Sequence, residues 1–214
     1  ANDGGGLYST HATLITNTTF IKNQSPNVGG GAYFRDQNGT GDLQEHSLVN
    51  VTFTQNQADR GSAIFLTGTE NEVTLTLLNN TIYDNLGFGV AENDNSVTIF
   101  RDMTVGNTII AQNAGNAQCN VNAPAVVTSL GGNLSSQSHG TTPTPQNDIS
   151  CGVTDDSDQI NIPVDAEILE PLSAVSSGTS FVHFAAADSP ILDSGLNAIC
   201  PAFDARGAAR PLDS

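Results

Sequence analysis

The sequence predicts an all-β chain wound as a right-handed parallel β-helix (β-solenoid) of about five or more coils, with a loop-rich C-terminal cap. Three observations predict it. A motif of the form Asn-x-Thr-Φ-x-x-Asn, with Φ Phe or Ile, recurs along the first half of the chain. A glycine-rich turn recurs between its copies, and no segment carries a 3.6-residue apolar stripe.

The motif appears as Asn17-Thr-Thr-Phe20-Ile-Lys-Asn23, Asn50-Val-Thr-Phe53-Thr-Gln-Asn56 and Asn79-Asn-Thr-Ile82-Tyr-Asp-Asn85. A fourth copy, read as one residue longer, is Gly106-Asn-Thr-Ile109-Ile-Ala-Gln-Asn113, and Gly131-Gly-Asn-Leu134 is a fainter fifth. The first four starts are separated by 33, 29 and 27 residues. Gly4-Gly-Gly-Leu-Tyr8, Gly29-Gly-Gly-Ala-Tyr-Phe34 and Gly61-Ser-Ala-Ile-Phe-Leu66 form the second element, with Gly87–Ala91 as a degraded copy. Val73-Thr-Leu75-Thr-Leu77 alternates as a half-buried strand should. Such units, stacked one per coil, place Phe20, Phe53, Ile82 and Ile109 in one inward column. Asn17, Asn50 and Asn79 then form an asparagine ladder at a turn, because Asn tolerates the left-handed conformation. Asn23, Asn56, Asn85 and Asn113 form a second ladder. A propeller blade needs longer units, and a sandwich would not repeat Asn and Gly in register. Residues 1–134 are expected to be the coils, and 135–214 loop-rich coils and a cap over the solenoid end, packed as one continuous domain.

The chain of 214 residues carries a net charge of −16. That balance argues against nucleic acid and anionic membrane as partners, and no apolar run is long enough to span a bilayer. Of the three cysteines, Cys119 and Cys151 bracket a loop-rich segment and are the expected disulfide. Gly4 opens a coil after three residues, leaving no room for a cap. The first coil is therefore expected to meet upstream repeats, a partner, or another copy stacked head to tail.

Asp188-Ser-Pro-Ile-Leu-Asp-Ser-Gly195 and Cys200-Pro-Ala-Phe-Asp-Ala-Arg-Gly-Ala-Ala-Arg-Pro211 resemble the choice-of-anchor Q domain that precedes varied cell-surface anchors in bacteria. Asn107–Asn113, Leu130-Gly-Gly-Asn-Leu and Leu169-Glu-Pro-Leu are similar to the same pattern. The Gly-Gly-Gly-Leu-Tyr and Asn-x-Thr-Φ units are similar to repeats of polymorphic outer-membrane-protein-like β-helices. The resemblance implies export, surface display and a partner for Cys200 beyond Ser214. It implies Asp204, Arg206 and Arg210 as a salt-bridged cap, and it implies no chemistry.

An enzyme of this shape would be a polysaccharide lyase or glycoside hydrolase. A lyase base or cation would come from Lys22, Arg35, Arg60 or Arg101, which form no recognisable cluster. A hydrolase needs two carboxylates on one wall, and Asp36, Asp59, Asp84 and Asp102 follow the repeats only loosely. His11, His46, His139 and His183 have no metal-ligand spacing; His183 reads as a structural histidine. Asp155, Asp156 and Asp158 are the candidate ligands for calcium, the one cofactor the sequence offers, although a solvated acidic loop is the simpler reading. An ice-binding face would want a regular Thr-x-Thr array, and Thr74 and Thr76 show no matching pairs in neighbouring coils. The expectation is an extracellular or cell-surface, non-enzymatic scaffold, adhesin-like or filament-forming. Its partners are surface polysaccharide or itself, and the carbohydrate-active enzyme is the alternative.

Overall fold

In the computed structural model, which describes residues 3–36, 42–69, 73–87, 95–115, 117–137, 151–163, 166–174 and 181–210, each repeat closes one turn of a parallel β-solenoid. Turn one holds β1 (Leu7–Ser9), β2 (Thr13–Thr16) and β3 (Thr19–Ile21). Turn two holds β4 (Ala32–Phe34), β5 (Gln44–Val49), β6 (Thr52–Thr54) and β7 (Gln57–Ala58). Turn three repeats this with β8 (Ile64–Leu66), β9 (Val73–Leu78), β10 (Thr81–Tyr83) and β11 (Leu86–Gly87). Turn four has β12 (Asn95–Ile99), β13 (Met103–Gly106) and β14 (Ile109–Ala111). Turn five has β15 (Ala117–Val121), β16 (Val127–Ser129) and β17 (Leu134–Ser136), and β18 (Gln159–Ile162) adds one more rung. Stacking yields sheets of five, five and six strands, and about four turns separate the first rung from the fifth. A short antiparallel pair, β19 (Ser173–Ala174) and β20 (Phe181–Val182), lies outside them.

The inward column begins as expected: the Phe20 and Phe53 rings stack 4.7 Å apart at 5°. Phe53 then registers with Ile82. The next member is Ile110 rather than Ile109, because Ile109 pairs with Thr81. The fourth motif is not one residue longer. It starts at Asn107, whose left-handed backbone (φ 47°) matches Asn17, Asn50 and Asn79 at 50°, 56° and 56°. In the fifth turn Gly132 takes the same conformation (φ 68°). Gly87 does not open a glycine turn of the kind at Gly61, because it pairs with Ala58. The strand over Ile64–Leu66 is instead Val97–Ile99, so Asn95 and Ser96 replace the glycine turn in turn four.

Buried amides run through the interior as a continuous ladder. Asn23 Nδ2 donates to Asn56 Oδ1, Asn56 Nδ2 to Asn85 Oδ1 and Asn85 Nδ2 to Asn113 Oδ1, each at 2.9 Å. Asn113 Nδ2 passes the chain to Gln118 Oε1 at 2.7 Å. Each amide thus meets a polar group of the next turn. A third ladder arises at the x position of the motif. The Thr108 N–H donates to Asn133 Oδ1 at 2.9 Å, and Asn133 Nδ2 donates to Asp158 Oδ1 at 2.9 Å.

The core has two differently finished ends. At the fifth turn Cys151 and Val153, 0 % and 2 % exposed, cover it, and Cys151 is bonded to Cys119 as expected. At the first turn Leu7, Ile15 and Phe20 are only partly buried, whereas Ala32 and Phe53 in the next turn are fully buried. Of the segment expected as a cap, residues 151–153 thus close the fifth-turn end, and the last part does something else. Residues 181–210 lie against the side wall, where the Thr19 hydroxyl donates to the Phe181 carbonyl at 2.7 Å.

A candidate cleft between wall and strap

The asparagines that start each motif point outward, because a left-handed residue turns its side chain off the strand ladder. Their amides find the C-terminal strap. Asn107 Nδ2 donates to the Leu196 carbonyl at 2.9 Å, and the Leu196 N–H returns a bond to Asn107 Oδ1 at 2.7 Å. Asn79 Nδ2 donates to Ile199 O at 3.2 Å and Asn50 Nδ2 to Phe203 O at 2.8 Å. Between this strap, residues 182–185 and the wall lies a cavity of about 220 Å³, lined by Asn50, Thr52, Thr81, His183, Asp204 and Arg210 among others.

The two groups in the cleft that could serve as acid or base, His183 and Asp204, are already committed. His183 Nδ1 donates to the Glu170 carbonyl at 2.8 Å, so Nε2 accepts from the Thr54 hydroxyl at 3.2 Å. Burial favours its neutral form and lowers its pKa, against the Glu170 carbonyl and the Asp84 carboxylate. Asp204 Oδ1 accepts the N–H groups of Arg206 and Ala208 at 2.8 and 2.9 Å. Its Oδ2 receives the Arg206 guanidinium at 2.6 and 2.5 Å. Burial works against this charge, yet the Arg206 guanidinium and the two backbone donors outweigh it and hold the pKa below the usual carboxylate value. Arg210 reaches Asn79 Oδ1 at 2.9 Å. Cys200 is a free thiol beside Asn79 and Asn107.

The remaining candidates are dispersed. Arg101 donates to the Thr69 carbonyl at 3.1 Å, Arg60 lies 5.5 Å over the Phe65 ring, and Arg35 donates to the Asp36 carbonyl. Lys22 occupies a left-handed turn (φ 56°). Asp36 accepts the Thr69 N–H at 2.8 Å, Asp102 the Val126 N–H at 2.8 Å and Asp84 the Gln55 amide at 3.1 Å, while Asp59 is exposed. His11 contacts its neighbour Thr10, His46 is buried in the core, and His139 lies outside the described residues. Asp158 accepts from Asn133 with one oxygen and from Ser129 and the Asp155 N–H with the other, and Asp155 accepts from Ser157. Asp156 is exposed. Among the described residues no three His, Cys, Asp or Glu side chains are gathered as a metal site.

Two features escaped the sequence reading. The strands that lead into the asparagine turns carry an outward column of Ser47, Thr76, Thr104 and Thr128, so Thr76 does have partners in neighbouring turns. Thr74 faces Glu45, which leaves that array one hydroxyl wide. The other is the outer aromatic column Tyr8, Tyr33, Phe65 and Phe100, with centroids 5.1, 5.4 and 5.7 Å apart. Its signal was the aromatic after each glycine turn, one residue from the inward position. Comparisons with family models, with curated proteins and with solved structures returned no match.

Proposed function

We propose that this chain is an exported, non-enzymatic surface scaffold with adhesin-like contacts to surface polysaccharide. The observation that carries it is the state of the cleft: His183 uses both ring nitrogens on the Glu170 carbonyl and the Thr54 hydroxyl, and Asp204 accepts at both its oxygens from Arg206 and Ala208. A general acid or base needs a proton site open to the substrate, and a hydrolase needs a second carboxylate beside the first. Asp204 is the one carboxylate lining this cleft among the described residues. The Cys119–Cys151 bond supports an oxidising compartment, and the resemblance of residues 188–211 to surface-display domains points the same way.

The partly buried Leu7, Ile15 and Phe20 at the first rung support end-to-end association of copies, since β1, β2 and β3 each form the edge of their sheet. Incubation with a panel of neutral and acidic polysaccharides is expected to release neither reducing ends nor unsaturated products, and release of either overturns the scaffold reading. Sedimentation is expected to show concentration-dependent association that Phe20→Glu abolishes. A monomer at all concentrations removes the filament-forming part.

A further inference from the structure

We propose that the cleft between wall and strap binds one carboxylate-bearing sugar unit, presented at the end of an otherwise neutral glycan. This rests on the surface-scaffold reading and names its ligand. The floor of the cleft holds groups that the fold has left unused. Asn50 is 7 % exposed and its Oδ1 has no hydrogen-bond donor. The Thr52 and Thr81 side-chain hydroxyls, beside it on β6 and β10, have no partner among the described residues. Arg210 spends one N–H on Asn79, and no carboxylate of the described residues reaches it, whereas Arg206 is neutralised by Asp204. A guanidinium carries five N–H donors in a planar fork suited to a carboxylate.

A fixed cation and two hydroxyls around one small cavity, with the buried, unmet Asn50 acceptor behind them, ask for a ligand with several hydroxyls and one anion. The cavity of about 220 Å³ limits that ligand to a single ring. Phe184, 37 % exposed, lines the cleft with the Arg206 guanidinium 5.4 Å from its ring centroid and offers an apolar edge to the C–H side of a sugar. Net charge decides how many anions the ligand carries. At −16 the protein repels a polyanion as a whole, so one local carboxylate is accepted where a chain of them is not.

Titration of the full chain with glucuronate and, in parallel, glucose, followed by amide chemical shifts, tests this. Glucuronate is expected to shift Asn50, Thr81 and Arg210, with glucose at least tenfold weaker. Arg210→Gln keeps a donor for Asn79 and is expected to bring glucuronate down to the glucose level. Thr81→Val is expected to weaken both sugars several-fold, and the spectra themselves report that each variant folds. Equal affinity for the two sugars, or no shifts in the cleft, overturns the proposal. Failure here without polysaccharide cleavage leaves the scaffold reading standing, whereas cleavage removes that reading whatever glucuronate does.

Discussion

His46 gives the fold a pH dependence that one substitution isolates. It faces inward on β5, registering with Thr13 below and Leu75 above, and is 1 % exposed. Its ring sits 4.7 Å from that of Phe34, and neither nitrogen makes a hydrogen bond. The Arg35 backbone favours the charged form slightly, without hydrogen-bond geometry, and burial dominates, lowering the pKa from 6.5 to about 4. The unfolded chain takes up this proton near 6.5 and the folded chain only near 4, so between those values the unfolded state binds more protons. The contribution is therefore complete above 6.5 and lost as pH falls toward 4, by about 3 kcal/mol at most. His46→Leu supplies the residue that the next turn carries. It removes two orphaned nitrogens, each costing about 1–3 kcal/mol, and introduces a change of shape costing about 1 kcal/mol. Urea unfolding is expected to show the variant more stable by about 1–2 kcal/mol at pH 7.5, with the gap widening by about 3 kcal/mol at pH 4. Carboxylates titrate alike in both proteins and cancel in the difference. A gap that stays constant with pH, or a variant less stable throughout, refutes the assignment of His46 as a neutral, unbonded core residue.

Asn56→Leu cuts the interior ladder at its second member, removing the acceptor of both the Asn23 side-chain amide and the Asn23 N–H and the second donor to the Phe20 carbonyl. The expected loss is about 3 kcal/mol in urea unfolding, and a loss below 1 would mean the ladder adds little to stability. Gly30→Ala places a Cβ 2.5 Å from the carbonyl oxygens of Gln57 and Ser62, both backbone atoms that cannot give way. It is expected to lower the thermal midpoint by several degrees. Gly195→Ala, whose nearest neighbour is 3.8 Å away, is expected to leave the midpoint unchanged, and equal midpoints for the two variants would contradict the close stacking of turns. Replacing Cys119 and Cys151 together by Ala opens a loop with a sequence separation of 32, with an expected cost of about 3–4 kcal/mol under non-reducing conditions. Identical unfolding of variant and parent would show the bond to be energetically idle.

The coils were legible because their signal is physical repetition. Asn at a left-handed turn, Phe or Ile inward and Asn again inside recur whenever the chain returns to the same place on the wall. Repetition misleads where one residue type serves two neighbouring places. Ile109 and Ile110 are both isoleucine, and only the backbone of Asn107 distinguishes inward from outward. The Gly87 copy misled for a similar reason, since a glycine marks a tight approach without saying to which turn. The Thr76 column was hidden by strands of different composition, Gln44–Val49 and Met103–Gly106, whose register is fixed by hydrogen bonds rather than by likeness. Of the cleft, the sequence showed the residues but not the meeting: Asn50 and Arg210 are brought together by a strap that carries no repeat.

The shape of that strap follows from the ladder it crosses. Leu196, Ile199 and Phe203 bond to Asn107, Asn79 and Asn50, one turn of the solenoid for every three or four strap residues. Turns are spaced by about 4.8 Å, whereas an extended chain advances about 3.3 Å per residue and would overshoot the next asparagine by a full rung. The strap must therefore be compressed to less than half its extended length. It is: Asn197–Ile199 form a 3-10 turn, which rises about 2 Å per residue and sets its carbonyls near the spacing of the wall. Asp204, receiving the N–H groups of Arg206 and Ala208, folds the chain back a few residues later and keeps Arg210 over Asn79 instead of letting it run past the first turn. The left-handed asparagines thus do two jobs with one side chain. Their backbone turns the coil, and their amides measure out a strap that has to be coiled to fit, which is why a segment without repeats can still be held by a ladder made of them.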